Sequence, residues 1–531
     1  MRYETCERHA LRDVCATCVT RRVSDMRYEM CERHALRTCE RHVLRDVALY
    51  ILTLVLGVLK TLLVPFLLNI TVRHLWRIYV TSLRDRNCLL PLPPGEFGLP
   101  IIGETVQMLL NMNEFTRRKR AQYGDVYVTH FLGNPTVRVC GAKHVRSVLR
   151  GKHTTVEAVW PRSTQLLLGA GSLSQATGQD HLTKKRALMK TFSFDALSKY
   201  VPTVQGITQT YIHFWLKKGI INGYEELRTL NFALSCRVLI GATLDRIECQ
   251  RLMNVFETFT SNIFSMPVNM RGFGFWKALG ARQVLMDKID EVIQSRRQRS
   301  GVEEKDNVLS IILQSNDFDD FSQLELKNMC LELLFAGHGT TSSAESYLVY
   351  VLTKRPDVCR KIREEMTSYG IFTHDLPLTD SLSLQLLNKL TYLNSVVKEV
   401  LRISPPVGGG FRQALETFEI NGYQVPKGWK VVYSIANTHN ITGHFQDPTN
   451  FDPDRWSNKQ TSGDPWGYLP FGGGRRACAG KDLARLMLKV FAVELLGRCD
   501  VGLLKDDTVF RTFPLPSPKD GMPLYVRMKS Q

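Results

Sequence analysis

The chain has 531 residues, 44% of them hydrophobic and 23% charged. These are ordinary globular values, and they exclude a collagen, a coiled-coil rod and a wholly disordered chain. A single long apolar run excludes a polytopic transporter. The 69 Lys and Arg exceed the 51 Asp and Glu, for a net charge of +18. Such an excess suits nucleic acid, an anionic membrane or an acidic protein partner. No zinc-finger, RNA-recognition or basic-zipper signature is present, so nucleic acid is set aside.

Residues 1–46 do not match the rest. Arg2–Arg12 reads R-Y-E-T-C-E-R-H-A-L-R, Arg27–Arg37 repeats it almost unchanged, and Thr38–Arg45 restates the theme. This stretch holds ten Arg, no Lys and five of the 13 Cys. Its C-x-x-H spacings (Cys6/His9, Cys31/His34, Cys39/His42), beside Cys15 and Cys18, suit tetrahedral zinc. Near-identical short units without an apolar period build no stacked core, however. The favoured reading is therefore a translated tandem repeat, an artefact of the gene model. The other eight Cys are scattered, which indicates a reducing compartment rather than a disulfide framework.

Val47–Leu68 is almost wholly apolar over 22 residues, enough to cross about 30 Å of hydrocarbon. Lys60 and Pro65 weaken it, although Lys60 can snorkel. Arg73, Arg77, Arg84 and Arg86 follow, which places the rest of the chain on the cytoplasmic side. Pro91-Leu92-Pro93-Pro94-Gly95 closes residues 69–95 as a stiff linker. Residues 96–531 show no second linker. Apolar residues three and four apart predict helices in Val284–Arg297, Gln323–Phe335, Pro356–Met366 and Asp482–Leu496. Val126–Phe131, Thr136–Val139, Phe418–Ile420 and Val431–Ile435 read as short strands. The expected fold is mainly α with small β-sheets, an α+β domain behind a membrane anchor.

Phe471–Gly480 reads F-G-G-G-R-R-A-C-A-G just before the last predicted helix. Three glycines allow positive φ and close backbone approach to a flat ligand. A helix N-terminus and neighbouring arginines lower a thiol pKa, so Cys478 is expected to be a thiolate. An aromatic, a glycine loop, an Arg and a thiolate suit a haem iron with a Cys ligand.

Phe471, Gly474, Arg476, Cys478 and Gly480 fill F-x-x-G-x-R-x-C-x-G, which resembles the haem-binding loop of the cytochrome P-450 superfamily. The resemblance implies haem b with Cys478 as the axial thiolate and Arg476 on a haem propionate. Glu399 and Arg402 form E-x-x-R on one helix face, and Phe451–Trp456 looks like the superfamily's meander. The resemblance therefore implies a structural triad of Glu399, Arg402 and Arg455. Phe335–Thr341, F-A-G-H-G-T-T, looks like the long helix crossing the haem, widened beside a ligand. Thr340, with Thr341, would stabilise bound oxygen and help deliver protons. The family's usual acid is replaced by Gly339, which puts the usual proton relay in question. Back-bonding of Thr340 and Thr341 to helix carbonyls is the alternative. His181 and Lys185, at i and i+4, stand where the superfamily often has propionate contacts.

Pro405–Leu415, Phe418–Val432, Asn262–Pro267 and Trp160-Pro161 are similar to the retinoic-acid hydroxylase family, from about Leu92 to near Gln531. That resemblance implies Arg412 on a propionate. It also implies a substrate cavity of Trp160, Phe264, Phe335, Ala336, Val407, Gly408 and Phe513. Gly408 stands where that family usually has proline. Arg138 and Arg162 are the two candidates for a carboxylate anchor. The implied activity is O2-dependent hydroxylation of all-trans retinoic acid, at ring C4, for retinoid catabolism. The implied setting is the endoplasmic reticulum membrane, with electrons from an NADPH-dependent reductase. The alternatives are a sterol or fatty-acid monooxygenase, a reductase-independent haem-thiolate isomerase, and a non-catalytic haem- or retinoid-binding protein.

Overall fold

The computed structural model describes residues 25–151, 155–298, 306–318, 321–371, 382–441, 444–457 and 464–529. The chain divides into two units, residues 1–79 and 80–531. Among its described residues the first is helical, part of the helix Asp25–Ser82, which has Pro65 inside it. It contains the whole apolar run Val47–Leu68, whose large side chains are exposed, and it is long and apolar enough to cross a membrane. The same helix runs back through residues 25–46. Residues 1–24, with Cys6, His9, Cys15 and Cys18, lie outside the described residues. Among the described residues, no group of three or more His, Cys, Asp or Glu is placed to hold a metal ion.

The second unit is built on long helices. Gln323–Lys354 begins at a reciprocal cap, in which Ser322 Oγ accepts from the Glu325 amide and Glu325 accepts from the Ser322 amide. The predicted helix ended at Phe335, but the observed one continues for 19 more residues, through Gly337 and Gly339. Tertiary packing decides this: Leu348, Val349 and Leu352 are buried in the main core and outweigh the glycine cost of about 1 kcal/mol each. The helix stays α throughout, so the expected widening is absent. Gly223–Leu239, Gly274–Gln298, Thr391–Ile403 and Lys481–Arg498 pack against it, and Phe194–Lys218 packs on Lys481–Arg498 and Gly223–Leu239 in the same core.

A five-stranded sheet lies to one side, in the order Val126–Phe131, Asn134–Val139, Lys430–Ser434, Gly409–Ala414, Val156–Ala158. Leu132 and Gly133, at φ 48° and 77°, turn the first hairpin, as a two-residue hairpin turn requires. Gly409–Ala414 pairs antiparallel with both its neighbours, with Arg412 opposite Val431 and Ala158. A Cβ at Gly409 would lie 2.1 Å from the Tyr433 carbonyl, so only glycine allows this approach. Two further sheets near the C-terminus, one joining Ile220–Asn222 to Pro523–Met528 and Cys499–Leu503, escaped the sequence reading. Their strands have two to six residues, too few to show a period.

Candidate active site

The cysteine loop is positioned from both ends. Its last residues lead into Lys481–Arg498, and the Cys478 amide donates back to the Phe471 carbonyl at 2.9 Å. The Phe471 ring is held under the Arg485 guanidinium, 4.9 Å away. Gly474 takes φ 64°, and a Cβ there would lie 2.2 Å from the Leu149 carbonyl. This glycine therefore serves the loop's packing on helix Ala142–Arg150. Nearest to a Cβ at Gly480 is the Phe192 ring, at 4.0 Å. Cys478 itself is exposed, although it sits deep enough among protein atoms for desolvation to act on it.

Desolvation acts on the free Cys478 thiol. Burial pushes the Cys478 thiol pKa up, and the Gly480 amide and the Lys185 charge only partly oppose it. The arginines do not help, because Arg475 points to solvent and Arg476 is turned to a carboxylate. The free site therefore favours the thiol, and ligation by a metal cation is what deprotonates such a group.

Arg476 forms an ion pair with Glu157 and donates to the carbonyls of Leu173, at 3.2 Å, and Ala176. The charge of Arg412 acts on Arg476, while Arg412 itself donates to the Phe411 carbonyl and lies 5.1 Å over the Tyr433 ring. Arg476 is thus paired with Glu157, while Arg412, bonded to a neutral carbonyl, adds a second positive charge close enough to act on it. That surplus charge fits one further anionic group, such as a haem propionate. Lys185 departs from its expected role: its ammonium donates to the carbonyls of Arg475 and Ala477, each at 2.6 Å. It ties helix Gly178–Lys190 to the cysteine loop. His181, one turn earlier, is buried. A bare cysteine ligand, a backbone amide beside its sulfur and this basic cluster fit a haem with a Cys ligand.

The substrate-cavity residues are only partly brought together. Trp160 stacks at 6.5 Å on Phe264 and meets Phe335 edge-on at 6.5 Å, and Phe264 reaches Phe513 at 6.3 Å. These four rings come from four distant parts of the chain and none is fully buried, so they line open space. Val407 and Gly408 are exposed, and a Cβ at 408 meets nothing closer than Ala436 Cβ at 4.0 Å. Ala336 is exposed, and its carbonyl accepts the Thr340 hydroxyl at 2.6 Å. Thr340 is thus back-bonded, and Thr341 is buried. Arg162 is exposed beside Trp160, with Gln165 Oε1 at 3.5 Å, whereas Arg138 is buried against the Met108 sulfur.

Glu399 receives Arg402 at 2.9 and 2.8 Å and Arg455 at 2.9 Å, so the three form one buried cluster. The sequence reading missed Trp456, which donates to Glu399 at 2.9 Å, although it lies within the quoted meander. It also missed His439, which contacts the Arg402 carbonyl at 3.0 Å and accepts the Leu469 amide at 2.8 Å. His439 therefore couples this cluster to the start of the cysteine loop. Glu157 was missed because its partner lies 319 residues away.

Residues 93–520 match the model of the family described as Cytochrome P450. Cytochrome P450 26A1 of Xenopus laevis is 39% identical over 467 residues, covering 87% of this chain and 95% of that protein. Cytochrome P450 26A1 of Danio rerio is 41% identical over 472 residues. Cytochrome P450 26B1 of Homo sapiens is 38% identical over 454 residues, 84% of this chain and 88% of that one. Among solved structures, retinoic acid bound cyanobacterial CYP120A1 aligns with a TM-score of 0.77 at 34% identity, covering 83% of this chain and all of that one.

Proposed function

The chain belongs to the cytochrome P450 family and is a haem-thiolate monooxygenase; from that premise we propose how its residues act. It hydroxylates retinoic acid, taking electrons from a redox partner. The similar proteins support this reading, as does the aromatic cluster of Trp160, Phe264, Phe335 and Phe513, which carries it within the chain. A rigid conjugated acid buries apolar surface there at roughly 25 cal/mol per Å2. Ring C4 is the carbon oxidised, and NADPH-dependent cytochrome P-450 reductase is the electron donor.

Cys478 would hold the haem iron through its sulfur. Phe471, Gly474 and Gly480 shape its loop, and Lys185 holds that loop to helix Gly178–Lys190. Arg412, Arg476 and His181 would hold the haem propionates. Haem, when bound, supplies the iron that activates O2, and the thiolate favours O–O cleavage. The four aromatic rings orient the polyene and exclude water. Arg162, beside Trp160 and exposed, anchors the carboxylate. Thr340 and Thr341 pass protons once Thr340 leaves the Ala336 carbonyl.

The helix containing Val47–Leu68 anchors the enzyme in the endoplasmic reticulum membrane, and its continuation through residues 69–82 leads into the catalytic unit on the cytoplasmic side. Residues 1–46 are a translated tandem repeat, an artefact of the gene model, although 25–46 continue the same helix. Carbon monoxide difference spectra of the reduced protein, with reductase-supported turnover of all-trans retinoic acid, test the function. A thiolate-type band with 4-hydroxylated product is expected. The band without an oxidised retinoid overturns the substrate assignment.

A further inference from the structure

Monooxygenation consumes two protons and two electrons for each O2: RH + O2 + 2 H+ + 2 e− gives ROH and H2O. The redox partner supplies the electrons. The protons need a carrier near the long helix Gln323–Lys354, which bears three carboxyls. Glu325 is spent on the helix cap and on Lys184. Both oxygens of Glu332 take backbone amides, from Leu173 at 2.6 Å and Ser174 at 2.8 Å. His338 stays neutral, because burial drops its pKa to about 3 even though the Arg228 carbonyl, 3.0 Å from Nε2, opposes that shift.

Glu345 is different. It is fully buried, Oε2 accepts from Asn231 Nδ2 at 2.5 Å, and Oε1 has no hydrogen-bond partner among the described residues. Asn231 Oδ1 and Ser235 Oγ are likewise buried without a partner among the described residues. Asn231 and Ser235 are one turn apart on helix Gly223–Leu239, so they share a face. Gly337, Thr341 and Glu345 are likewise spaced by four on theirs. A Cβ at Gly337 would lie 2.9 Å from Leu239 Cδ1 and 3.5 Å from Ser235 Oγ, so this stripe faces the helix that carries Ser235. Helical side chains lean towards the N-terminus, which carries the Glu345 carboxyl towards Thr341. Buried polar atoms in native proteins find partners, and ordered water is the partner that fits several such atoms at once.

We propose that Glu345 supplies protons to the reaction through a file of water, Asn231, Ser235 and Thr341 ending at the turn Gly337–Thr340. The O–H bond of the Glu345 carboxyl breaks, the proton moves along the file, and solvent later returns one to the carboxylate. Burial raises the Glu345 pKa to about 8, so the group holds its proton at neutral pH. Gly339 leaves its own position without an acid, and a carrier at 345 supplies the function from about a third of a turn round the helix.

The inference rests on the monooxygenase reading, and Glu345→Gln in the holoenzyme tests it. Glutamine keeps the shape but carries no exchangeable acid proton. With reductase, NADPH and all-trans retinoic acid, product per NADPH should fall about tenfold, with hydrogen peroxide making up the difference. The carbon monoxide band and the retinoid-induced spectral shift should stay unchanged. A protonated-carboxyl infrared band should be present in the wild type and vanish in the variant. Should Glu345→Gln fail to hold haem, Ser235→Ala should show the same uncoupling to a smaller degree. Wild-type coupling in these variants, or no protonated-carboxyl band to lose, overturns the inference. A wild type that makes no oxidised retinoid indicts the substrate reading instead, and the infrared band still decides the role of Glu345.

Discussion

Glu399 and Arg402 face each other one helical turn apart, joined by two hydrogen bonds of 2.9 and 2.8 Å, with neither side chain exposed. Arg402 also donates to the Pro448 carbonyl at 2.7 Å, and Glu399 takes Arg455 and Trp456 besides. Removing one partner leaves a buried charge uncompensated, at a cost of about 3–5 kcal/mol. Glu399→Ala and Arg402→Leu should therefore lower the thermal midpoint sharply and abolish haem uptake. Unfolding followed by circular dichroism, with haem content, measures both.

Cys478 plays the opposite part. It is exposed, and its side chain carries no share of the core. Cys478→Ala should leave the fold and the thermal midpoint of the apoprotein within about 0.5 kcal/mol. It should remove the thiolate-type carbon monoxide band and all turnover. A variant that unfolded instead would make the loop cysteine structural.

Trp160 links two other rings in the aromatic cluster. Trp160→Ala should weaken retinoic acid binding at least about tenfold, or about 1.4 kcal/mol. The spectral titration of the haem band reads this directly. Unchanged affinity would place the polyene elsewhere.

Arg162 and Arg138 make contrasting predictions. Arg162→Ala should raise KM for retinoic acid about tenfold while barely changing that for an uncharged retinoid alcohol. Arg138→Ala should lower stability, because Arg138 packs among buried groups beside Met108. Comparing the two substrates on both variants separates anchoring from packing.

His439 titrates out of the usual range. Burial lowers its pKa to about 4 from 6.5, and the Leu469 amide on Nε2 fixes the neutral ring. Between these values the unfolded chain binds a proton that the folded one refuses. Stability is therefore retained above pH 6.5 and lost as the pH falls from 6.5 towards about 4. Denaturant titrations across that window should show the loss, and His439→Gln should make it shallower, leaving the share of His338, whose pKa burial lowers to about 3.

Some of this was legible before any fold was known. The cysteine loop, E-x-x-R and F-D-P-D-R-W are contiguous, so their residue types and spacing are visible along the chain. The apolar run Val47–Leu68 and the periodic helices were equally plain, because hydrophobic patterning is local. The same local logic placed Val126–Phe131 and Phe418–Ile420 at their observed bounds.

The sequence alone therefore determined the type of ligand cysteine, the enzyme family and the apolar helix, all written in short windows. Only the tertiary structure decided what the side chains do. It gave Arg476 to Glu157 and Lys185 to the loop carbonyls, it raised rather than lowered the Cys478 pKa, and it buried Glu345 beside Asn231. The reason is that desolvation and charge pairing depend on which distant atoms come to enclose a group, and no spacing along the chain records that enclosure.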